Sequence, residues 1–163
     1  MTLKVKTKID NIENIEELSS KIDLIVGEVI SSTKNLEHNI NQVIYKHLNP
    51  ENNGFFHGVL MSSDIISFGS KLNLLKAIAM ANGKNINFEP FQTILTIRNL
   101  FAHEIPTVNS VDKKYYLNKR IKYKNHCFWT HQIKEIPKLI EDFNNALEEC
   151  DKLLDEISLN HSK

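Results

Sequence analysis

The chain has 163 residues, and its 20 basic and 20 acidic side chains give a formal net charge of zero. That balance excludes a protein that holds nucleic acid by bulk charge, and leaves only a local basic surface for that purpose. Two cysteines make no disulfide framework, no apolar run is long enough for a membrane span or a signal-peptide core, and the expectation is one cytoplasmic domain over 1–163 with no membrane partner.

The first predicted element is a helix over 12–47. Ile15, Leu18, Ile22, Ile25, Val29, Leu36, Ile40 and Val43 follow one another in steps of three, four or seven, which line one helical face. A continuous helix of that length spans roughly 54 Å. Gly27 weakens it by about 1 kcal/mol relative to alanine, and Asn49-Pro50 ends it, because proline drives the preceding residue out of the helical region. Residues 49–66 read as a loop with a short extended or helical piece at 58–61. A second helix fits 67–82, with Leu72, Leu75, Ile78 and Ala79 inward and Asn82-Gly83 as a left-handed stop.

A third helix starts near Glu89, with Pro90 in its first turn and Phe91, Ile94, Ile97 and Phe101 as its buried stripe. It ends around His103, and Pro106 prevents a long continuation. Residues 104–131 show no helical period and read as an irregular basic connection or a short β-hairpin. The last helix runs from about 135 to 159, its inner face marked by Ile136, Ile140, Phe143, Leu147, Cys150, Leu154 and Ile157. Pro137 suits its first turn. Four helices with one long connection predict an all-α four-helix up-and-down bundle.

The candidate chemistry sits at the end of the third helix, in Arg98-Asn99-Leu100-Phe101-Ala102-His103. A fixed positive charge, an amide and a titratable imidazole fall within one and a half turns. Asn99 lies one turn below His103. Arg98 lies about 140° off the His103 face, so one helix aims the two groups imperfectly. A second copy related by a two-fold axis would set two arginines and two histidines around one cleft, which makes a homodimer the natural way to complete the site. One imidazole near neutral pH can take the proton of a ribose 2′-hydroxyl, another can protonate the leaving 5′-oxygen, and arginine can hold the phosphate. The reaction so composed is RNA cleavage with no metal and no cofactor. No carboxylates at metal-ligand spacing surround the motif, which disfavours a two-metal nuclease. The structural alternative for Arg98 and His103 is bonding to the last carbonyls of the helix and complementing its dipole.

The segment 97–103 at the end of the third helix resembles the HEPN superfamily (higher eukaryotes and prokaryotes nucleotide-binding), whose signature is Arg, four to six residues, then His, often with a polar residue after the Arg. Arg98, Asn99 and His103 match the four-residue form. The stretch Ile66-Ser67-Phe68-Gly69-Ser70-Lys71-Leu72 is similar to the region preceding the motif in bacterial members related to the mannitol-operon repressor. The resemblance implies a dimer with a composite cleft. In many members that cleft belongs to a metal-independent endoribonuclease acting as a toxin, in phage defence or in RNA processing, and a toxin implies an antitoxin protein partner. Other members are non-catalytic regulators or interaction proteins on the same bundle. Pro106 stands three residues after the histidine, where members paired with nucleotidyltransferase antitoxins often carry tyrosine, so control through that tyrosine is not expected.

Two further clusters bear on binding. Between 113 and 124 the chain carries six Lys or Arg, three Tyr and no acid. Lys113, Lys114, Tyr116, Lys119, Arg120, Lys122 and Lys124 would suit phosphate contacts and base stacking, or simply form a solvated loop. His126, Cys127 and His131 lack a fourth ligand at standard spacing and do not make a zinc site. Phe128 and Trp129 read as core or interface. His38, His47 and His57 read as surface or satisfied histidines. Glu141, Asp142, Glu148, Glu149 and Asp151 read as the solvated face of the last helix, which would confine nucleic acid to the other side.

Overall fold

Thirty-four residues of alternating apolar and polar character build the longest element, α1 (Ile15–Leu48). The computed structural model describes residues 4–7, 15–103, 105–108, 115–123 and 126–158, with backbone alone for the strands and for residues 15, 16, 18 and 19. Ile22, Ile25, Val29, Leu36, Ile40 and Val43 are buried along one face of α1, as their spacing predicts. The seven-residue step from Val29 to Leu36 is filled by Ser32 and Thr33, both buried, and the Thr33 hydroxyl donates to the Val29 carbonyl at 2.8 Å. Asn49 ends the helix in the left-handed region (φ 45°), its N–H donating to the Tyr45 carbonyl at 2.8 Å, with Pro50 next.

The segment that follows is helical rather than extended. A single turn, α2 (Asn53–Phe55), is capped by Asn52, whose side chain accepts from the Phe55 N–H at 2.8 Å. It runs into a π-helical turn, Phe56–Leu60, closed by the Met61 N–H on the Phe56 carbonyl at 2.8 Å. Phe56 is buried and packs edge-on against Tyr45 and His57, which anchors the turn on α1.

Helix α3 (Phe68–Ala81) starts at Ser67, whose hydroxyl accepts from the Ser70 N–H at 3.2 Å. It stops where Gly83 takes φ 70° and Lys84 N–H reaches back to Ala79 O at 2.9 Å, while Gly83 N–H reaches Met80 O at 3.0 Å. That pair of bonds is the Schellman closure. Helix α4 (Glu89–His103) buries Pro90, Phe91, Ile94, Ile97 and Phe101. Helix α5 (Ile136–Ser158) buries Ile136, Leu139, Phe143, Ala146, Leu147, Cys150, Leu154 and Ile157. Leu139 takes the inward position expected of Ile140, which is only half-buried at the edge of the core.

The helices share one apolar core. α1 packs on α3, α4 and α5, and α4 packs on α5. The segment around Val5 also joins the core: Val5 is buried, and its N–H and carbonyl bond both ends of the Asn144 amide on α5, at 2.9 and 3.0 Å.

The expected irregular connection is instead a three-stranded antiparallel sheet in the order β1 (Ile105–Val108), β2 (Tyr115–Tyr123), β3 (His126–Glu135). Tyrosine, isoleucine, phenylalanine, tryptophan and threonine within 115–133 favour the pleated surface. Pro106 is tolerated because β1 is an edge strand. Of the two forms expected for this stretch, the structure shows the hairpin, β2–β3, with β1 added at its edge. A bulge lies between Leu117 and Lys119, where Asn118 pairs with Ile105 of β1 and has no partner across on β3.

Candidate functional site around Arg98

Arg98 sits on α4 and is half-buried. Its Nη1 donates to Oδ1 of Asn99 at 3.0 Å, which fixes the arginine fork beside an amide. Asn99 is exposed. His103 is the last residue of α4 and is exposed, placed where a basic group complements the helix dipole. Among the described residues no hydrogen bond joins His103 to Arg98 or Asn99. Within one chain the motif is therefore split: arginine and amide form a pair, and the imidazole stands apart at the helix end.

Arg98 lines a cleft of about 360 Å³ between α1, the 61–67 turn and α4. Ile30, Thr33, Lys34 and Glu37 form its α1 wall, at the three- and four-residue spacing of one helical face. Ser63, Ser67 and Phe68 close it from the turn, and Leu95 lies one turn below Arg98. Behind this cleft lies a charge that the sequence pattern did not suggest. Lys71 is 1% exposed, and its Nζ donates to Glu37 Oε1 and to the Met61 carbonyl, each at 2.5 Å. Glu37 Oε1 thus links α1 to α3, and the Met61 carbonyl ties in the turn between them.

The opposite face of α4 is acidic. A cleft of about 520 Å³ between α4 and α5 is lined by Glu89, Asp142 and Glu149 with no Lys or Arg. Glu89 and Thr96 lie about 180° and 160° around α4 from Arg98. Asp142 and Glu141 are held by Lys138 at 3.1 and 3.2 Å, which raises the Lys138 ammonium through the hydrogen bonds to Asp142 and Glu141 and their charges. Glu148 pairs with Lys4, whose hydrogen bond and charge hold its carboxyl below the usual range. The last helix thus presents the solvated acidic face expected of it.

Of the proposed RNA contacts, Lys113, Lys114 and Lys124 lie outside the described residues. Tyr116, Lys119, Arg120 and Lys122 fall on β2, at register positions opposite Glu135, Thr130, Trp129 and Cys127 of β3. β2 lies beside α4 and α5. His126, Cys127, Phe128, Trp129 and His131 are all on β3. His57 rings against Tyr45 and Phe56, His38 sits 3.4 Å from the Gln42 amide, and neither approaches the Arg98 cleft.

A comparison of the chain with family models, curated proteins and solved structures finds no match. The residues to which the sequence assigns no role of their own are Lys34, Glu37, Ser63, Ser67 and Lys71, the last two standing in the 66–72 stretch singled out only for its resemblance. One signal for Lys71 was present: it stands four and seven residues before Leu75 and Ile78, on the inward period of α3. The cleft itself carries no linear signal, because three separate segments build it.

Proposed function

We propose that the chain is a metal-independent endoribonuclease of the HEPN type, a four-helix up-and-down bundle working as a homodimer on RNA in the cytoplasm, in toxin, phage-defence or RNA-processing service. The observation that carries this reading is the Arg98–Asn99 pair, fixed at 3.0 Å on the same helix whose open end presents His103. A guanidinium pre-set by an amide is ready to take a phosphate in two parallel hydrogen bonds. An exposed imidazole is free to exchange protons with a bound strand. Two copies of the α4 end, face to face, would supply the two imidazoles that acid–base cleavage needs.

The chemistry follows from those groups. One His103 removes the proton from a ribose 2′-hydroxyl, the 2′-oxygen attacks phosphorus, and the bond to the 5′-oxygen breaks. The other His103 delivers a proton to that leaving oxygen. The products are a 2′,3′-cyclic phosphate and a 5′-hydroxyl, and Arg98 stabilises the charge that builds on the phosphoryl oxygens. The acidic cleft on the far face of α4 repels the strand and leaves the Arg98 side for it.

Cleavage of a labelled mixed-sequence RNA in excess EDTA tests this. Wild type is expected to leave cyclic phosphate ends, with His103→Ala losing about 10²- to 10⁴-fold in rate and Arg98→Ala a comparable amount. Pure, folded, dimeric wild type that leaves the RNA intact would overturn it.

The regulatory or interaction reading rests on one observation of its own: Arg98 turns to Asn99 and the intrachain cleft, not towards His103. In that reading the cleft binds a partner's anionic group, and growth of cells expressing the protein is unaffected by His103→Ala.

A further inference from the structure

The cleft beside Arg98 has a charge balance that its lining alone conceals. It carries two cations, Lys34 and Arg98, and one carboxylate, Glu37. The carboxylate is already engaged from behind by the buried ammonium of Lys71 at 2.5 Å. Lys34 is exposed and Arg98 bonds only the neutral Asn99, so among the described residues neither meets a carboxylate of its own. The space between them is therefore bordered by two uncompensated positive charges. Ser63 and Ser67 add hydroxyls to its wall; the Ser67 oxygen accepts from Ser70 N–H and shares a 3.0 Å hydrogen bond with the Ser70 hydroxyl, so its own proton is open to an anion when Ser70 is the donor of that bond. The positive end of the fourteen-residue helix α3 opens on the same wall at Ser67 and Phe68. Thr33, buried in the gap of the α1 stripe, also lines the cleft, its hydroxyl spent on the Val29 carbonyl.

We propose that this cleft is a phosphate-binding subsite, with Lys34 and Arg98 as its charged ligands and Ser63 and Ser67 as neutral donors. Its volume of about 360 Å³ accepts a phosphate with part of the group that bears it. Half-buried Phe68 offers an apolar surface beside the anion. The buried Lys71 acts on this subsite as a positioning residue, through Glu37: it cancels the one charge that would repel an anion and holds the turn carrying Ser63 against α1. The subsite stands on its own geometry and does not require the chain to cleave anything. Arg98 is common to it and to the cleavage reading, so the two are separated by substituting Lys34.

The test is calorimetric titration of the whole protein with inorganic phosphate in EDTA. Wild type is expected to bind one phosphate per chain saturably. Lys34→Ala is expected to weaken binding about tenfold or more, the usual worth of one charge-assisted contact. Lys34→Arg should retain it. Folded wild type that shows no saturable binding, or Lys34→Ala that binds as wild type does, would overturn the subsite. A second arm measures single-stranded RNA binding to His103→Ala protein. Weaker binding when Lys34→Ala is added assigns the phosphate to a strand; unchanged RNA binding with weakened phosphate binding assigns the subsite to a small phosphate anion. A wild type that binds phosphate and cleaves no RNA removes the ribonuclease reading and keeps the subsite.

Discussion

Cys150 shows how burial alone can decide the behaviour of a side chain. It is fully buried on α5, and desolvation pushes its thiol well above the usual range, with the neighbouring Asp151 and Glu149 carboxylates adding to the effect. The folded chain therefore keeps a proton that the unfolded chain gives up near pH 8.5. Its contribution to stability is complete below that pH and declines above it, by up to about 1.4 kcal/mol per pH unit, because the unfolded state then binds fewer protons. In a Cys127→Ser background, Cys150 is expected to resist alkylation while the protein is native and to react promptly in denaturant. Alkaline urea titrations should show the declining stability, and Cys150→Ala should remove that slope. Rapid labelling of the folded protein would contradict the buried placement.

At the level of elements, the ion pair between α1 and α3 makes an asymmetric prediction. Glu37→Gln leaves the Lys71 ammonium buried without its counter-charge, and is expected to cost about 3 kcal/mol or more in urea unfolding. Lys71→Met keeps the volume and removes the buried charge, leaving a carboxylate with partial access to water, so it should cost far less. Equal losses from the two variants would mean that the pair contributes by packing and not by charge. The same pair marks the limit of what the chain's pattern reveals. Ile25, Phe91 and Phe143 are inward because apolar spacing puts them there, and the four long helices were legible in that way, down to the Asn82-Gly83 stop; the single turn α2, too short to show a period, was not. Lys71 occupies an inward position too, but a lysine reads as solvated until the carboxylate that holds it is known, and Glu37 lies thirty-four positions away. The strands were harder still, because the lysines among the tyrosines of 115–123 blur any alternation. The Arg98–His103 motif stood out as a motif, while the division between a fixed pair and a separate imidazole, and the cleft beside them, required three dimensions.

At the level of the whole molecule, the cleavage reading is a statement about two copies. Wild-type and His103→Ala proteins, unfolded together in equal amounts and refolded, are expected to show about a quarter of the rate of the same total of wild type, since a mixed dimer keeps one imidazole where cleavage needs two. A rate of about one half in mixtures shown to contain the heterodimer would place the site within a single chain. The tie between Val5 and Asn144 carries a different consequence. Those two hydrogen bonds join positions 139 residues apart, and the Lys4–Glu148 pair beside them spans 144. Closing so long a loop is entropically late and slow compared with the local turns. During synthesis, α1 and the Arg98 cleft can be made while their final clamp on α5 is still inside the ribosome. The apolar faces of α1 and α4 that pack on α5 are then open on the growing chain until α5 emerges, and a chain cut before residue 136 would carry them uncovered.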